Sequence, residues 1–226
     1  MRRSVHAILD RMPTARITFD DIKDSADLAA QFRSPAVELL DGRMVRHGLP
    51  SAAVVAAVVR LASAFDAHGA SLRVGVRDAV AAPPSDLLRP EVSLARSTAA
   101  YARWLGPPAA ALALAVLVVD GVEVVSERLR RYALAGVREV WVVDAPAATA
   151  TRYAAPHGGR YTRRELLLPG EPCAPDAVPW LQVVPVPRER AAAALDQASS
   201  RSISNDSPST SITSPGASRR LRRVST

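Results

Sequence analysis

The sequence contains few cysteines, lysines and aromatic residues, and its apolar runs are short. The shortage of cysteine and the short apolar runs each exclude a class of protein. Its 226 residues include one cysteine, Cys173, which excludes an internal disulfide framework and a metal site built from several thiols. The longest apolar stretch, residues 107–119, starts with two prolines and ends at Asp120-Gly121, well short of the roughly 20 residues that a membrane-spanning helix requires. The first ten residues hold no long apolar segment. We therefore expect no membrane span, no secretory signal and a cytoplasmic location.

Arginine supplies nearly all of the positive charge, because Lys23 is the only lysine. The net charge is +7, but from residue 188 onward seven arginines face three acids, so over half of the excess lies in the last part of the sequence. Residues 198–226 are rich in serine and arginine and cannot bury enough apolar surface to offset their ordering entropy. This composition predicts a disordered basic tail, and it weakens the case for nucleic acid binding from net charge alone.

Turn and cap residues divide the remaining sequence into helices and strands. Ser51 precedes apolar residues at helical spacing, which predicts a capped helix over residues 52–66. A second helix follows Asp120-Gly121 and ends near Gly136. The pair Asp41-Gly42 separates two short apolar stretches and predicts a hairpin. Further strands are predicted at residues 72–76, 90–95, 111–119, 137–144, 150–154, 161–166 and 180–186.

The order of these elements predicts an α/β (α+β) domain with a mixed central sheet flanked by helices. We expect this domain to span residues 17–187, after an N-terminal extension over residues 1–16. A linker over residues 188–197 would connect the domain to the tail at 198–226. The continuous apolar run at 111–119 is typical of a strand that is buried on both faces, so we expect it at the centre of the sheet.

Four features in this order resemble the Uma-two family of restriction-endonuclease-like proteins. They are the string Glu38-Leu-Leu-Asp41-Gly42-Arg-Met-Val, the helix that follows it, the pair Pro90-Glu91, and residues 131–144, which read Arg-Tyr-Ala-Leu-Ala-Gly-Val-Arg-Glu-Val-Trp-Val-Val-Asp. The resemblance covers about residues 17–187. It implies a PD-(D/E)XK nuclease-like fold and a metal-dependent endonuclease that hydrolyses DNA phosphodiester bonds.

The resemblance also implies the site residues. In this family two carboxylates on adjacent strands hold a divalent cation such as Mg²⁺, and a lysine on the following helix lies nearby. The first carboxylate falls on Glu91, which is one methylene longer than the usual aspartate. The lysine position falls on Arg128, which keeps the charge and can contact phosphate but cannot give up a proton.

The second carboxylate depends on which residues align with the family's central strand. In one register the strand at 111–119 aligns, the carboxylate position holds Ala115, and the cation loses a ligand. In the other register Glu123 is the second metal ligand and joins Glu91 and Arg128 as a catalytic residue. We favour the first, because it keeps ordinary loop lengths, and Glu123 is then an acid in the first turn of the helix.

Other polar residues have simpler interpretations. Glu38 either assists the metal site or lies as an exposed carboxylate on its strand, and Asp144 is expected to form a turn. Tyr132 and Trp141 are interpreted as core aromatics. Three histidines have no carboxylate or second histidine at ligand spacing and are interpreted as surface or loop residues: His47, His68 and His157.

These interpretations leave three candidate functions. The first is a nuclease in which Glu91 and Glu123 hold Mg²⁺ and Arg128 contacts the phosphate. The second is a nuclease fold with a degraded site that is catalytically inactive and binds or scaffolds, with DNA as a partner. The third is a homodimer in which the apolar helix 52–66 packs on a copy of itself.

Overall fold

The computed structural model describes residues 16–68, 72–96, 106–121 and 125–194. Within these residues the chain forms, in order, α1 Phe19–Asp24, α2 Ala26–Phe32, β1 Val37–Leu40, β2 Arg43–Arg46, α3 Ala52–Asp66, β3 Leu72–Gly75, β4 Val80–Ala82, β5 Asp86–Leu88, β6 Val92–Arg96, a 3₁₀ turn Ala109–Ala111, β7 Leu112–Val119, α4 Ser126–Leu134, β8 Glu139–Asp144, β9 Thr149–His157 and β10 Arg160–Leu167. Residues 188–194 are also helical.

The strands form two sheets. The larger has the order β10-β9-β8-β7-β6-β3, with β7 and β8 parallel and the other pairs antiparallel. The smaller is antiparallel and has the order β2-β1-β5-β4. The larger sheet confirms the predicted mixed sheet. The smaller sheet adds β4 and β5, which the sequence patterns did not predict, as they did not predict α1 and α2.

Strand β7 lies inside the larger sheet, and all eight of its residues are buried. Helix α3 covers one face of the sheet, where Leu61 and Phe65 pack with Val116 and Trp141. Helix α4 covers the other face with buried Tyr132. Burial on both faces explains why this strand is a continuous apolar run, and it confirms the central position predicted for residues 111–119.

The hairpin β1–β2 and helix α3 form for the reasons that the sequence suggested. Asp41 and Gly42 have φ angles of 53° and 71°, the left-handed values that a tight two-residue hairpin turn requires. A Cβ on Gly42 would also lie 2.6 Å from Cβ of Arg16, so glycine is needed for space as well as for φ. Ser51 caps α3 by accepting a hydrogen bond from the Val54 backbone N–H.

The prediction of a strand at residues 180–186 is wrong. This segment makes one isolated bridge, between Val183 and Cys173, and otherwise packs buried apolar side chains on the core. The carbonyls of Val184 and Pro185 accept hydrogen bonds from Arg60 at 2.9 and 2.7 Å, so a side chain replaces the neighbouring strand. Pro185 also lacks the N–H that a strand ladder uses.

Several other predictions concern the ends of the chain. The helical residues 188–194 fall in the segment predicted as a linker, and Ala191 and Ala194 pack against the core. Residues 1–15 of the predicted extension and the predicted tail at 198–226 lie outside the described residues. Among the described helices, none combines the length and apolar character needed to cross a bilayer.

Candidate active site

Glu91 lies where the chain enters β6, beside the central strand. Its side chain is buried, and its Oε2 accepts a hydrogen bond from the Val118 backbone N–H at 3.1 Å. Strands β6 and β7 pair with Val92 opposite Val116 and Ser93 opposite Ala115. The strand next to Glu91 is therefore Leu112–Val119, and Ala115 presents a methyl group there instead of a carboxylate. Glu123 lies outside the described residues.

Arg128 projects from α4 to Glu91 and joins it to a second carboxylate. Its Nη2 donates to the carbonyl oxygen of Arg89 at 3.0 Å and lies 3.4 Å from both carboxylate oxygens of Glu91. The same nitrogen is 3.4 Å from Oε1 of Glu38. One buried guanidinium therefore bridges Glu38 and Glu91. The structure thus brings together Glu91 and Arg128, the two residues in the described part of the chain to which the sequence gave catalytic roles.

Glu38 is fully buried, so the alternative of an exposed strand carboxylate is wrong. Its Oε1 accepts from the Arg89 backbone N–H at 2.6 Å, and its Oε2 lies 2.7 Å from Nε2 of His47. His47 was interpreted as a surface or loop residue without a carboxylate at ligand spacing; it does lie in the loop after β2, but it is half-buried and contacts Glu38. The strand pairing of the hairpin accounts for this contact. Val37 pairs with Arg46, so the next residue, His47, lies beside the end of β1 that contains Glu38.

Two further arginines belong to this cluster, and sequence reasoning missed both. Arg89 is buried and donates from Nε to the carbonyl of Val37 at 2.7 Å and from Nη1 to that of Arg77 at 2.9 Å. A third bond joins its Nη2 to the carbonyl of Phe32. Arg77 places Nη1 at 3.6 Å from Oε1 of Glu91. In a chain so rich in arginine, no local pattern distinguishes these two from the exposed ones.

The pKa values of the two carboxyl groups, Glu38 and Glu91, are shifted in opposite directions. Burial raises the pKa of Glu91, and the charges of Arg128 and Arg77 only partly oppose that shift. Burial acts in the same direction on Glu38, but the hydrogen bond to His47 and the charge of Arg128 outweigh it, so the pKa of Glu38 is lowered. The short contacts to Glu38, at 2.6 and 2.7 Å, explain the difference, because Glu91 has no contact shorter than 3.1 Å among its described partners. Burial acts to lower the pKa of Arg128, but the two carboxylates raise it overall, so the guanidinium stays charged.

A cavity of about 200 Å³ opens beside these groups. Polar side chains line one part of it and apolar side chains another, and its walls include His47, Leu49, Val54, Arg77, Glu91, Asp120 and Arg128. The carboxylate–arginine cluster is therefore not sealed in the core, because it forms part of the wall of an accessible space.

The remaining singled-out residues have structural roles in the described part of the chain. Trp141 and Tyr132 are fully buried, which confirms them as core aromatics. Asp144 accepts from the Ala147 backbone N–H at 3.0 Å and forms the expected turn. His68 lies at the exposed end of α3, where its Nδ1 is 2.8 Å from the Ala64 carbonyl.

The fold described above agrees with the comparison to known proteins. A family model described as "Uma2: Putative restriction endonuclease" matches residues 22–187. The chain belongs to the Uma2 family. This confirms the resemblance stated from the sequence.

A solved structure shares the Uma2 chain's fold. The crystal structure of a "putative nuclease belonging to DUF820" from Anabaena variabilis superposes with a TM-score of 0.58, over 79% of this chain and 99% of that one. The two sequences are 13% identical, so the similarity shows the fold alone. None of the curated proteins compared with the chain matches it.

Restriction-endonuclease-like families use divalent cations, so the Uma2 assignment raises the question of whether these residues fit one. Each oxygen of Glu38 and Glu91 has a nitrogen of Arg128, Arg89, His47, Arg77 or Val118 within 3.6 Å. The guanidinium groups of Arg128 and Arg77 contact the two carboxylates, so the cluster has no excess negative charge to attract a cation. Among the described residues, no group of three or more His, Cys, Asp or Glu could hold a metal ion. The residues described here therefore do not fit Mg²⁺ while Arg128 is in place.

Proposed function

We propose that this Uma2-family chain engages DNA at a nuclease-fold site in which Arg128 takes the place of the divalent cation, and that it does not cleave DNA by the metal-dependent route. One observation supports this proposal most strongly. Nη2 of Arg128 lies 3.4 Å from carboxylate oxygens of both Glu38 and Glu91, between the two acids that the site would offer to a cation.

The chemistry of the substitution explains why binding survives and hydrolysis does not. A divalent cation clamps the scissile phosphate and lowers the pKa of the attacking water. A guanidinium supplies positive charge and paired hydrogen bonds to phosphate, but it is always protonated and cannot activate water as a base. Ala115, opposite Ser93 on the adjacent strand, has no side-chain oxygen with which to hold a cation. The site therefore keeps groups that attract a phosphodiester and lacks groups that would hydrolyse it.

DNA is the proposed partner on the basis of the family. The Uma2 description names a restriction endonuclease, and the solved neighbour is titled a nuclease. The arginines of residues 198–226 would add a salt-sensitive attraction to the phosphate backbone. A DNA partner and a single cysteine are consistent with the cytoplasmic location expected from the sequence.

Family membership favours a second candidate, a metal-dependent DNA endonuclease. In this alternative Glu91 and Glu123 hold Mg²⁺, and Arg128 leaves the carboxylates to contact the phosphate. It requires Glu123 to approach Glu91 closely enough for both to reach one cation.

A plasmid-cleavage assay separates the two candidates. We expect supercoiled plasmid to remain uncut by the full chain in Mg²⁺ or Mn²⁺, at the level of a matched Glu91→Ala preparation. Nicking or linearisation by the parent chain that disappears in Glu91→Ala would overturn the proposal and favour the endonuclease. Binding of the same plasmid in a gel-shift assay, expected for both proteins, shows that a negative cleavage result does not come from failure to engage DNA.

Self-association stays a prediction. Helix α3 exposes Val55 and Val59 at 46% and 59% of their surfaces, and these side chains would form the apolar contact of the predicted homodimer.

A further inference from the structure

Strand β10 forms one edge of the larger sheet. In the described part of the chain, no backbone hydrogen bond reaches the side of β10 that faces away from β9. The strand has eight residues and no proline, and it exposes all of its side chains except the half-buried Tyr161 and the buried Leu167. The strand at the opposite edge, β3, has four residues. Native proteins usually shorten, bend or cover such an edge, because its free N–H and C=O groups can pair with another strand.

One face of β10 carries two arginines without an acidic partner. Side chains alternate between the two faces of a strand, so Arg160, Arg164 and Leu166 share a face. The guanidinium carbon of Arg164 lies 5.8 Å from the centroid of the Tyr153 ring on β9, and within the described residues neither Arg160 nor Arg164 forms an ion pair. Leu166 exposes 61% of its surface beside them. This face therefore offers two cations and an apolar side chain to a partner.

The opposite face of β10 has already matched its charges. Arg163 pairs with Asp176, and Glu165 lies 3.7 Å from Arg152 on β9. The charge available to a partner is therefore that of Arg160 and Arg164, and it is positive.

A second copy of the chain is a poor partner for this edge. In an antiparallel pair of identical strands related by a twofold axis, one residue lies opposite its own copy. The pairings that use at least five residues of β10 centre on Thr162, Arg163, Arg164 or Glu165. Centring on Thr162 places Arg160 opposite Arg164, and the other three place an arginine or Glu165 opposite itself. Each arrangement puts like charges directly opposite each other, which destabilises a strand pair.

The two ends of the chain do not suit the edge either. Residues 1–15 contain three arginines and one acid, and residues 198–226 contain five arginines and one acid. Both segments carry the same sign of charge as the exposed face of β10, so an acidic strand must come from another protein.

We propose that β10 binds an extended acidic segment of another protein as an added strand. In this mode main-chain hydrogen bonds supply affinity, and alternate side chains supply specificity. The segment carries two acidic residues four positions apart, opposite Arg160 and Arg164, and an apolar residue two positions further, opposite Leu166. The inference goes beyond the proposed function and does not rest on it, because β10 lies at the sheet edge four strands from β6 and no nucleic acid takes part.

Fluorescence anisotropy with the full chain tests the inference. The probes are two labelled peptides of alternating valine and threonine that contain Glu-x-x-x-Glu-x-Leu or its reverse, one for each strand direction. We expect one of them to bind and a version with lysine in place of glutamate not to bind. Arg164→Gln should weaken binding about tenfold, because it removes a charged hydrogen-bond donor. Arg43→Gln removes the same charge from an exposed position on β2 and should change affinity less than twofold.

Backbone methylation shows whether the peptide adds as a strand. Two versions of the binding peptide carry N-methyl groups on one or the other set of alternate residues. In an added strand only one set of N–H groups faces β10, so one version should bind like the parent peptide and the other should lose binding. The bound peptide should also slow hydrogen exchange of backbone amides within residues 160–167.

Several results would refute strand addition at β10. They are no binding of either acidic peptide, equal binding of the lysine peptide, equal affinity of the two methylated peptides, and equal loss in Arg164→Gln and Arg43→Gln. If Arg164→Gln does not melt cooperatively, Arg160→Gln decides by the same comparison. Displacement of the labelled peptide by a single-stranded oligonucleotide at a lower concentration than by unlabelled peptide would assign the surface to nucleic acid and refute the inference. Metal-dependent plasmid cleavage would refute the proposed function alone, since the peptide experiment contains no DNA substrate or metal.

Discussion

Replacing Arg128 by methionine should lower the free energy of unfolding by about 3–5 kcal/mol, because it leaves two buried carboxylates without the cation that they share. Methionine fills much of the same space, so the loss comes from the unpaired charges of Glu38 and Glu91 more than from a cavity. Urea denaturation of the full chain at neutral pH measures the change. Arg130→Met is the matched control on the same helix, since the Arg130 side chain is 54% exposed and its variant should lose less than about 0.5 kcal/mol.

The pH dependence of this loss identifies its cause. In the parent chain the pKa of Glu38 is lowered, so Glu38 contributes stability that is present above its unfolded pKa and is lost as pH falls through the folded value. Without Arg128 the pKa values of both carboxyls should rise, and protonation in acid relieves the unpaired charge. The difference between parent and Arg128→Met should therefore shrink as pH falls from 7 toward about 4. A loss that is the same at both pH values would contradict the ion-pair explanation.

Replacing Arg89 by methionine should cost about 3–5 kcal/mol, because one buried side chain serves three carbonyl groups. Those carbonyls belong to Phe32, Val37 and Arg77 and come from three separate stretches of chain. Hydrogen bonds from a charged donor contribute about 1.5–3 kcal/mol each, and buried carbonyls without a donor are costly. Urea denaturation checks the value.

Arg43→Met provides the control for Arg89→Met. Arg43 is exposed on β2, so its replacement changes net charge equally and should cost less than about 0.5 kcal/mol. A loss below 1 kcal/mol in Arg89→Met would show that water replaces the arginine at these carbonyls. Arg89 would then not be needed to hold together the three stretches of chain that contain Phe32, Val37 and Arg77.

Local chemistry made much of the fold predictable from the sequence. Three features depend only on residues that are neighbours in the sequence: the turn at Asp41-Gly42, the Ser51 cap of α3 and the apolar run of β7. Residues 180–186 show the limit of such patterns. They have the apolar alternation of a strand, but whether a strand forms depends on a neighbour, and here the donor is Arg60, more than a hundred residues earlier in the chain.

A family string made Glu91 and Arg128 candidates from the sequence, and the structure places them in contact. For Glu38 two interpretations stayed open. Burial excludes the exposed one, and that burial depends on the closure of β1 against β5, which no local pattern encodes. Arg77 and Arg89 act through contacts to carbonyls and carboxylates distant in sequence, so their type and spacing give no signal.

We propose that Arg128 already supplies the positive charge that a divalent cation would bring to Glu38 and Glu91. A Mn²⁺ titration followed by thermal unfolding, on the parent chain and on Arg128→Met, tests this most directly, because a ligand that binds the folded state stabilises it by about 2.7 kcal/mol at 100 times its Kd. We predict that the unfolding temperature of the parent does not change with Mn²⁺ and that the unfolding temperature of Arg128→Met rises with the logarithm of Mn²⁺ concentration above the Kd. A rise of this form in the parent that Glu91→Gln abolishes would contradict the proposal.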